Sequence, residues 1–190
     1  MLTWLNSWDR LSGDQAAQVS ITVNDEVLVD AAQQSIRIDN IWESTSTHVT
    51  FTATEGSPVE VVFTPSGGNG KVYLNGFEID SPAIGNQVSF PTPAHRDERV
   101  ELGDATTVTA SWRQPADLTE ISYNVYYGTA SDSLEVVAEG LTEASAELEA
   151  DLFGTFYWRV DVVSGETVYP GRVFWFRAAS LAFPGAEGWG

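Results

Sequence analysis

The chain has 190 residues, with 9 Lys plus Arg against 27 Asp plus Glu, a formal net charge of −18 and no cysteine. So acidic a surface repels a phosphate backbone and anionic lipid, which excludes nucleic acid and acidic membrane surfaces as partners. The lack of cysteine excludes disulfides, thiol catalysis and zinc-thiolate sites, and no run approaches the roughly 20 apolar residues of a membrane span, so membrane insertion is not expected.

The charge is shared along the chain: residues 1–82 carry 3 basic and 11 acidic side chains, and residues 83–190 carry 6 and 16. It reads as a solubilising surface for salty or extracellular surroundings, where screening relieves the self-repulsion. The opening Met1-Leu-Thr-Trp-Leu-Asn-Ser-Trp-Asp-Arg10 lacks a basic region followed by an apolar core. It therefore does not read as a signal peptide, and an export signal is expected upstream of it.

Apolar residues alternate in short runs and no window sustains a 3.6-residue period, which predicts an all-β protein. In the first half the runs are Val19–Val23, His48–Ala53, Val59–Phe63 and Val72–Leu74, with Phe77–Ile79 after an expected Asn75-Gly76 hairpin turn. Asn24-Asp25, Gly56-Ser-Pro58 and Pro65–Gly70 separate them. Between Asp80 and Asp104 the pattern lapses into a Pro-, Gly- and charge-rich stretch, and a boundary is expected near residue 85. Strands resume as Thr106–Trp112, Ile121–Tyr127, Leu134–Ala138, Ser145–Leu148, Phe156–Val163 and Val168–Phe176. About seven short strands with a turn near every tenth residue fit an immunoglobulin-like sandwich.

In this second half a proline-rich entry, Pro91-Thr-Pro93, precedes Ser111-Trp112 and a Gln114-Pro115 turn. Tyr123-Asn-Val-Tyr-Tyr-Gly-Thr129, Gly140-Leu-Thr142, Gly154-Thr-Phe-Tyr-Trp-Arg-Val-Asp161 and Trp175-Phe176 follow. Together these landmarks resemble a bacterial fibronectin type III module over residues 89–178, and such modules are mostly spacers. Alternation puts Phe156, Trp158, Val160 and Val162 on one face, with Trp112 in the core, and Tyr157, Arg159 and Asp161 on the other. In the family a tyrosine near the start of this strand hydrogen-bonds back to the preceding loop; Phe156 or Tyr157 occupies that place here. Asp132–Glu135 and Glu143–Asp151 read as solvated acidic loops: calcium is conceivable there but no ligand spacing supports it, and no cofactor is expected.

The run Val72-Tyr-Leu-Asn-Gly-Phe-Glu-Ile79 resembles the closing strands of malectin-like and galactose-binding-like jelly rolls, and Met1–Trp8 then reads as an interior strand of that fold. Such a jelly roll has about eight strands, and five or six are visible here, so truncation at the amino end and an open apolar sheet edge are expected. What the resemblance implies is carbohydrate binding. Aromatic faces stack on sugar rings while polar groups meet the hydroxyls. The candidates are Trp8, Trp42 and Tyr73, with Asn6, Asp9 and Arg10, and also Asp14 and Asn40, as polar neighbours. Arg10 and Arg37 serve only an acidic ligand. Trp4 alternates with Leu2 and reads as core.

The last residues, Ala182-Phe-Pro-Gly-Ala-Glu-Gly188 followed by Trp189-Gly190, resemble the opening of bacterial pectate-lyase-type parallel β-helix domains. That family implies calcium-assisted β-elimination of uronate polymers, carried by positions absent from this chain. His48 and His95 have no evident serine or carboxylate constellation around them.

The expected organisation is two β-sandwich modules in tandem. Residues 1–82 form a partial, carbohydrate-binding-like jelly roll and 83–104 a linker and sandwich entry. Residues 105–178 form the fibronectin type III-like sandwich, and 179–190 lead to a pectate-lyase-like domain. The expected role is a non-catalytic accessory region of a secreted or cell-surface protein whose partner is a plant or algal cell-wall polysaccharide. The alternative is an adhesion or scaffold protein with structural modules only.

Overall fold

The structure, a computed structural model, describes residues 1–7, 15–37 and 43–180. They form an all-β protein that divides into two compact units, Met1–Ile84 and Gly85–Gly190, each built of facing sheets.

In the first unit β1 (Leu2–Ser7) is the centre of one sheet, paired antiparallel with β5 (Thr45–His48) and β7 (Leu74–Glu78) and, at its far end, parallel with β4 (Ser35–Ile36). All six residues of β1 are buried. The other sheet has the order β3-β2-β6, from Glu26–Gln33, Gln18–Val23 and Val61–Ser66. Leu5 from the first sheet meets Val19 and Ile21 from the second, all fully buried, and Val29, Ala32, Val61, Phe63 and Val72 pack around them. Leu5, Val19 and Ile21 each contribute roughly 1.5–3 kcal/mol by leaving water.

Two expectations about turns are corrected. The tight hairpin of this unit is Asn24-Asp25, with φ of 47° and 68°, joining Val23 to its partner Glu26. Both central residues sit in the left-handed region that a two-residue turn between twisted strands requires, which asparagine and aspartate tolerate. Asn75-Gly76 instead lies inside β7. Trp4 faces Gly76 and Leu5 faces Leu74, so Asn75 is the extra residue of a bulge. It holds the kink by accepting the backbone N–H of Asn6 on its side-chain oxygen at 2.7 Å. The run expected to be a strand over His48–Ala53 is regular only up to His48, and the strand Glu26–Gln33 was not anticipated.

The second unit has a three-stranded sheet, β13-β10-β8, from Ser145–Glu149, Thr107–Arg113 and Ser89–Thr92. Facing it is the sheet β12-β11-β14-β16-β9, from Glu135–Leu141, Ile121–Gly128, Thr155–Ser164, Val173–Ala179 and Asp97–Glu101; the short β15 (Thr167–Tyr169) pairs with β14. Strands β8 and β9 thus lie inside the stretch expected to be linker and sandwich entry, and β13 is the strand expected over Ser145–Leu148. Trp112 on β10 and Trp158 on β14 meet across the sheets with ring centroids 6.2 Å apart. Tyr123 stands edge-on to Trp112 at 5.3 Å and Phe174 packs on Trp158 at 5.0 Å.

Along β14 Phe156, Trp158, Val160 and Val162 all face this core. Asp161, expected on the open face, is only 3% exposed. Arg159 covers it with a two-pronged ion pair at 2.8 and 3.1 Å, and the Gly171 N–H donates to it at 2.9 Å. The chain at Gly171 passes so close to β14 that an added Cβ would lie 2.0 Å from the Val160 carbonyl oxygen. Phe156 has no hydroxyl for a phenol-to-backbone bond; Tyr127 on β11 makes one instead, its hydroxyl donating to the Glu149 carbonyl oxygen while its ring stacks on Phe156.

Truncating Trp158, which is fully buried, removes the contact both sheets share. Trp158→Ala is expected to destabilise the second unit by about 3–5 kcal/mol, read as a lower urea midpoint in near-ultraviolet circular dichroism of the whole chain. Tyr127→Phe removes one hydrogen bond and is expected to cost about 1 kcal/mol at neutral pH. Burial, and then the charges of Glu149 and Asp151, hold the Tyr127 phenol far above its ordinary ionisation range. In the folded state it stays neutral where the unfolded chain ionises, so this stability is complete below about pH 10 and is lost above it. The gap between wild type and Tyr127→Phe should therefore close as the pH rises past 10, in denaturant titrations run at pH 7 and pH 11.

Candidate functional site

Of the residues singled out as carbohydrate ligands, Trp8, Asp9, Arg10, Asp14, Asn40 and Trp42 lie outside the described residues. What the structure fixes is where the flanking strands end. β1 and β4 run parallel, with Asn6 beside Ser35 and Ser7 beside Ile36, and the Arg37 N–H donates to the Ser7 carbonyl at 3.3 Å. The described segments thus end at Ser7 and Arg37, side by side at one end of this sheet.

Asn6 is 3% exposed. Its side-chain oxygen accepts the Ser35 hydroxyl at 3.3 Å, and its backbone N–H is taken by Asn75. Its amide therefore fastens the strand ends to each other and is not presented to solvent. Ser35 extends the tie, donating to the Leu5 carbonyl at 3.1 Å and accepting the Thr45 N–H at 2.9 Å. Next to it Gln34, also buried, donates to the carbonyls of Ala17 at 2.7 Å and Lys71 at 2.9 Å and accepts the Tyr73 N–H at 2.7 Å. Tyr73 is half-buried and its hydroxyl accepts Asn69 at 2.9 Å. Asn6, read from the sequence as a possible ligand, and Gln34 are the frame that places Tyr73 and the two strand ends.

Two cavities lie elsewhere. Between the edges of β6 and β7 an apolar groove of about 450 Å3 is lined by Met1, Phe51, Val59, Val61, Phe63, Leu74, Phe77 and Ile79. In the second unit a polar cavity of about 470 Å3 lies against Tyr127 and Phe156, with Thr106, Thr107, Thr129, Glu149 and Asp151 at its walls. Among the described residues no three His, Cys, Asp or Glu side chains gather in a way that holds a metal ion.

The histidines are placed as structural groups. His48 Nε2 lies 2.9 Å from the Ser81 carbonyl oxygen, which makes that nitrogen the donor. His95 stands edge-on to the rings of Phe174 and Trp175 at 6.1 and 6.3 Å. Burial, and then the positive charges of Arg96 and Arg172, hold its imidazole below the usual range, so it is neutral at pH 7.

No family model matches the chain, and no curated protein sequence matches it. Among solved structures, the crystal structure of a β-1,2-glucanase from Parabacteroides distasonis is similar at 12% identity and a TM-score of 0.35. That comparison covers 96% of this chain, which spans 28% of the length of the glucanase chain.

If Gln34 is the tie beneath the strand ends, Gln34→Ala leaves two carbonyls and one N–H without their partner. The expected loss is roughly 2 kcal/mol or more, measured as a lowered unfolding midpoint of the first unit. Hydrogen exchange at the Tyr73 amide, whose N–H then opens to water, should accelerate in the same variant.

Proposed function

We propose that the chain is a non-catalytic accessory region of a secreted polysaccharide-degrading protein of the pectate-lyase kind. Its first module holds a cell-wall glycan and its second sets the distance to the enzyme. The observation that carries this reading is the parallel pairing of β1 with β4, because it brings the roots of two tryptophan-bearing segments side by side. Trp8 follows Ser7 directly, Trp42 precedes the described residue Glu43, and Tyr73 is fixed through Gln34 next to Ser35. A sugar chain needs aromatic surface and hydrogen-bonding groups from several segments at one place, and one sheet end supplies their anchor points.

For the second module, the strand order supports a fibronectin type III-like spacer. Three strands face a larger sheet in which β11, β14 and β16 are neighbours, the division of strands expected of immunoglobulin-like sandwiches. The non-catalytic reading draws on the two histidines, which are engaged with a backbone carbonyl and with aromatic rings. The run Ala182–Gly188 supports the lyase context through its resemblance. Holding the enzyme close to an insoluble polymer would act by raising its effective concentration there.

Affinity electrophoresis through gels containing pectin, polygalacturonate or neutral β-glycans tests glycan binding by the first module. Retardation on at least one glycan is expected, with Trp8→Ala and Trp42→Ala each weakening it about ten-fold or more, the loss of one stacked ring. No retardation on any glycan, or retardation untouched by both substitutions, would overturn the reading in favour of an adhesion or scaffold role. The coding sequence beyond Gly190 tests the enzyme context: a parallel β-helix is expected there.

A further inference from the structure

The open face of the larger sheet in the second unit is built unlike the rest of this acidic chain. Trp175 lies between the buried Phe174 and Phe176, and Arg177 between the buried Phe176 and Ala178, so both side chains leave the core side of β16. Tyr157 and Arg159 likewise alternate with the buried Phe156, Trp158 and Val160 on β14. The register puts Tyr157 directly opposite Trp175, Arg159 opposite Val173 and Thr155 opposite Arg177. On the other side of β14, Arg159 pairs with Tyr126 and lays its guanidinium 4.2 Å from the centre of that ring. Tyr126, Tyr157 and Trp175 are all partly open to solvent.

The charges on this face complete the picture. Arg99, Arg159 and Arg177 lie on β9, β14 and β16, while Arg96 and Arg172 directly precede β9 and β16, Arg172 with its Nε buried. The bulge between β9 and β16 aligns Val100 with Ala178 and so leaves Arg99 beside Arg177, both exposed. Asp161 is spent on Arg159 and the Gly171 N–H, and Asp97 accepts the Arg99 N–H at 2.9 Å. Glu98, exposed in the same bulge, and Glu101, opposite Ala179, are the carboxylates that border the arginines.

We propose that this face binds an acidic polysaccharide of the uronate class, with Tyr157 and Trp175 as the stacking platform and Arg177 and Arg99 as carboxylate partners. Two aromatic side chains directly opposite on neighbouring strands put adjacent ring area on one face, where the apolar faces of sugar rings can stack. A guanidinium meets a sugar carboxylate with two parallel hydrogen bonds, a geometry no hydroxyl of a neutral glycan reproduces. Arg159, paired with Asp161 and seated on Tyr126, acts as a positioning residue that stiffens the platform's edge. Charge selects the ligand, because an anion is repelled across most of this −18 chain and is attracted where the arginines collect. The site is separate from the strand ends of the first unit and does not rest on their role.

The test uses the full chain on gels containing polygalacturonate or a neutral β-glucan, in the wild type and in Trp8→Ala. Arg177→Gln, an exposed substitution, and Trp175→Ala should each weaken retention on polygalacturonate about ten-fold in both backgrounds, with retention falling as salt rises. Arg99→Gln should add to Arg177→Gln, and unchanged near-ultraviolet circular dichroism identifies a folded variant. Retention on polygalacturonate that Arg177→Gln and Arg99→Gln leave intact would overturn the proposal, as would retention on the neutral glucan lost equally in those variants. Loss on every gel with Trp8→Ala but not with Arg177→Gln would overturn it while leaving the first module's role standing.

Discussion

Strict alternation along Thr155–Ser164 is the constraint on which the second unit depends. Four inward side chains, Phe156, Trp158, Val160 and Val162, close the core against Trp112 and Leu148 from the facing sheet. A shift of one residue would bring Tyr157, Arg159 and Asp161 inward and send Trp158 to water. The same alternation fixes the open face. It gives β11 and β16 a central neighbour whose outward residues alternate aromatic, cationic and anionic. The Arg159–Asp161 pair, whose carboxylate is buried, then has a structural meaning. Without Arg159 and the Gly171 N–H, an acid at position 161 would be a carboxylate taken out of water with no partner, which costs several kcal/mol. With them it is a clamp between β14 and the segment entering β16, and it needs glycine at 171 because only a residue without a Cβ fits so near Val160.

The first unit rests on a different device. β1 is buried along its whole length and pairs with three strands, so its backbone has no freedom to adjust to a mismatch. The mismatch is absorbed by its neighbour: Asn75 bulges out of β7 and uses its own amide to take up the Asn6 N–H. Beyond this point the main-chain ladder passes to β4, and the side chains of Asn6, Ser35 and Gln34 reinforce it. Polar residues concentrated at a strand end look like a ligand site in sequence. Here they are consumed within the fold, and their satisfied hydrogen bonds are what make the strand ends a firm base.

How much of this was legible follows from where the information lies. Alternation is local, so the strands around Val19–Val23, Thr106–Trp112 and Phe156–Val163, the all-β class and the core tryptophans could be read directly. The strand Glu26–Gln33 could not, because it is the edge of its sheet and its outward residues need no apolar pattern to be stable in water. Asn75-Gly76 was misread because the letters that favour a two-residue turn also favour a bulge, and only the register against Trp4 and Leu5 separates the two. Burial of Asn6 was likewise hidden, since nothing local states that Asn75 and Ser35 arrive to occupy it. Tyr157 and Arg159 were correctly placed on one face, but their alignment with Trp175, Arg177 and Tyr126 depends on pairing across three strands, which no single run encodes.

The acidic excess and the arginine-bearing face act as complementary parts of one electrostatic design. On a neutral protein a few arginines would be unremarkable, and many anions would approach many surfaces with similar weak affinity. On a chain with 27 carboxylates the background is repulsive, so one face with exposed arginines gains contrast as well as attraction. Contrast of this kind is lost at high salt, where both background and attraction are screened to within a few ångströms. Stacking on Tyr157 and Trp175 is not screened. On the proposed uronate-binding face, aromatic area would therefore set the floor of affinity and the arginines which glycans rise above it. Specificity on such a surface rests on cross-strand register, because moving Arg177 by one residue would turn it into the core and leave Ala178 beside the platform.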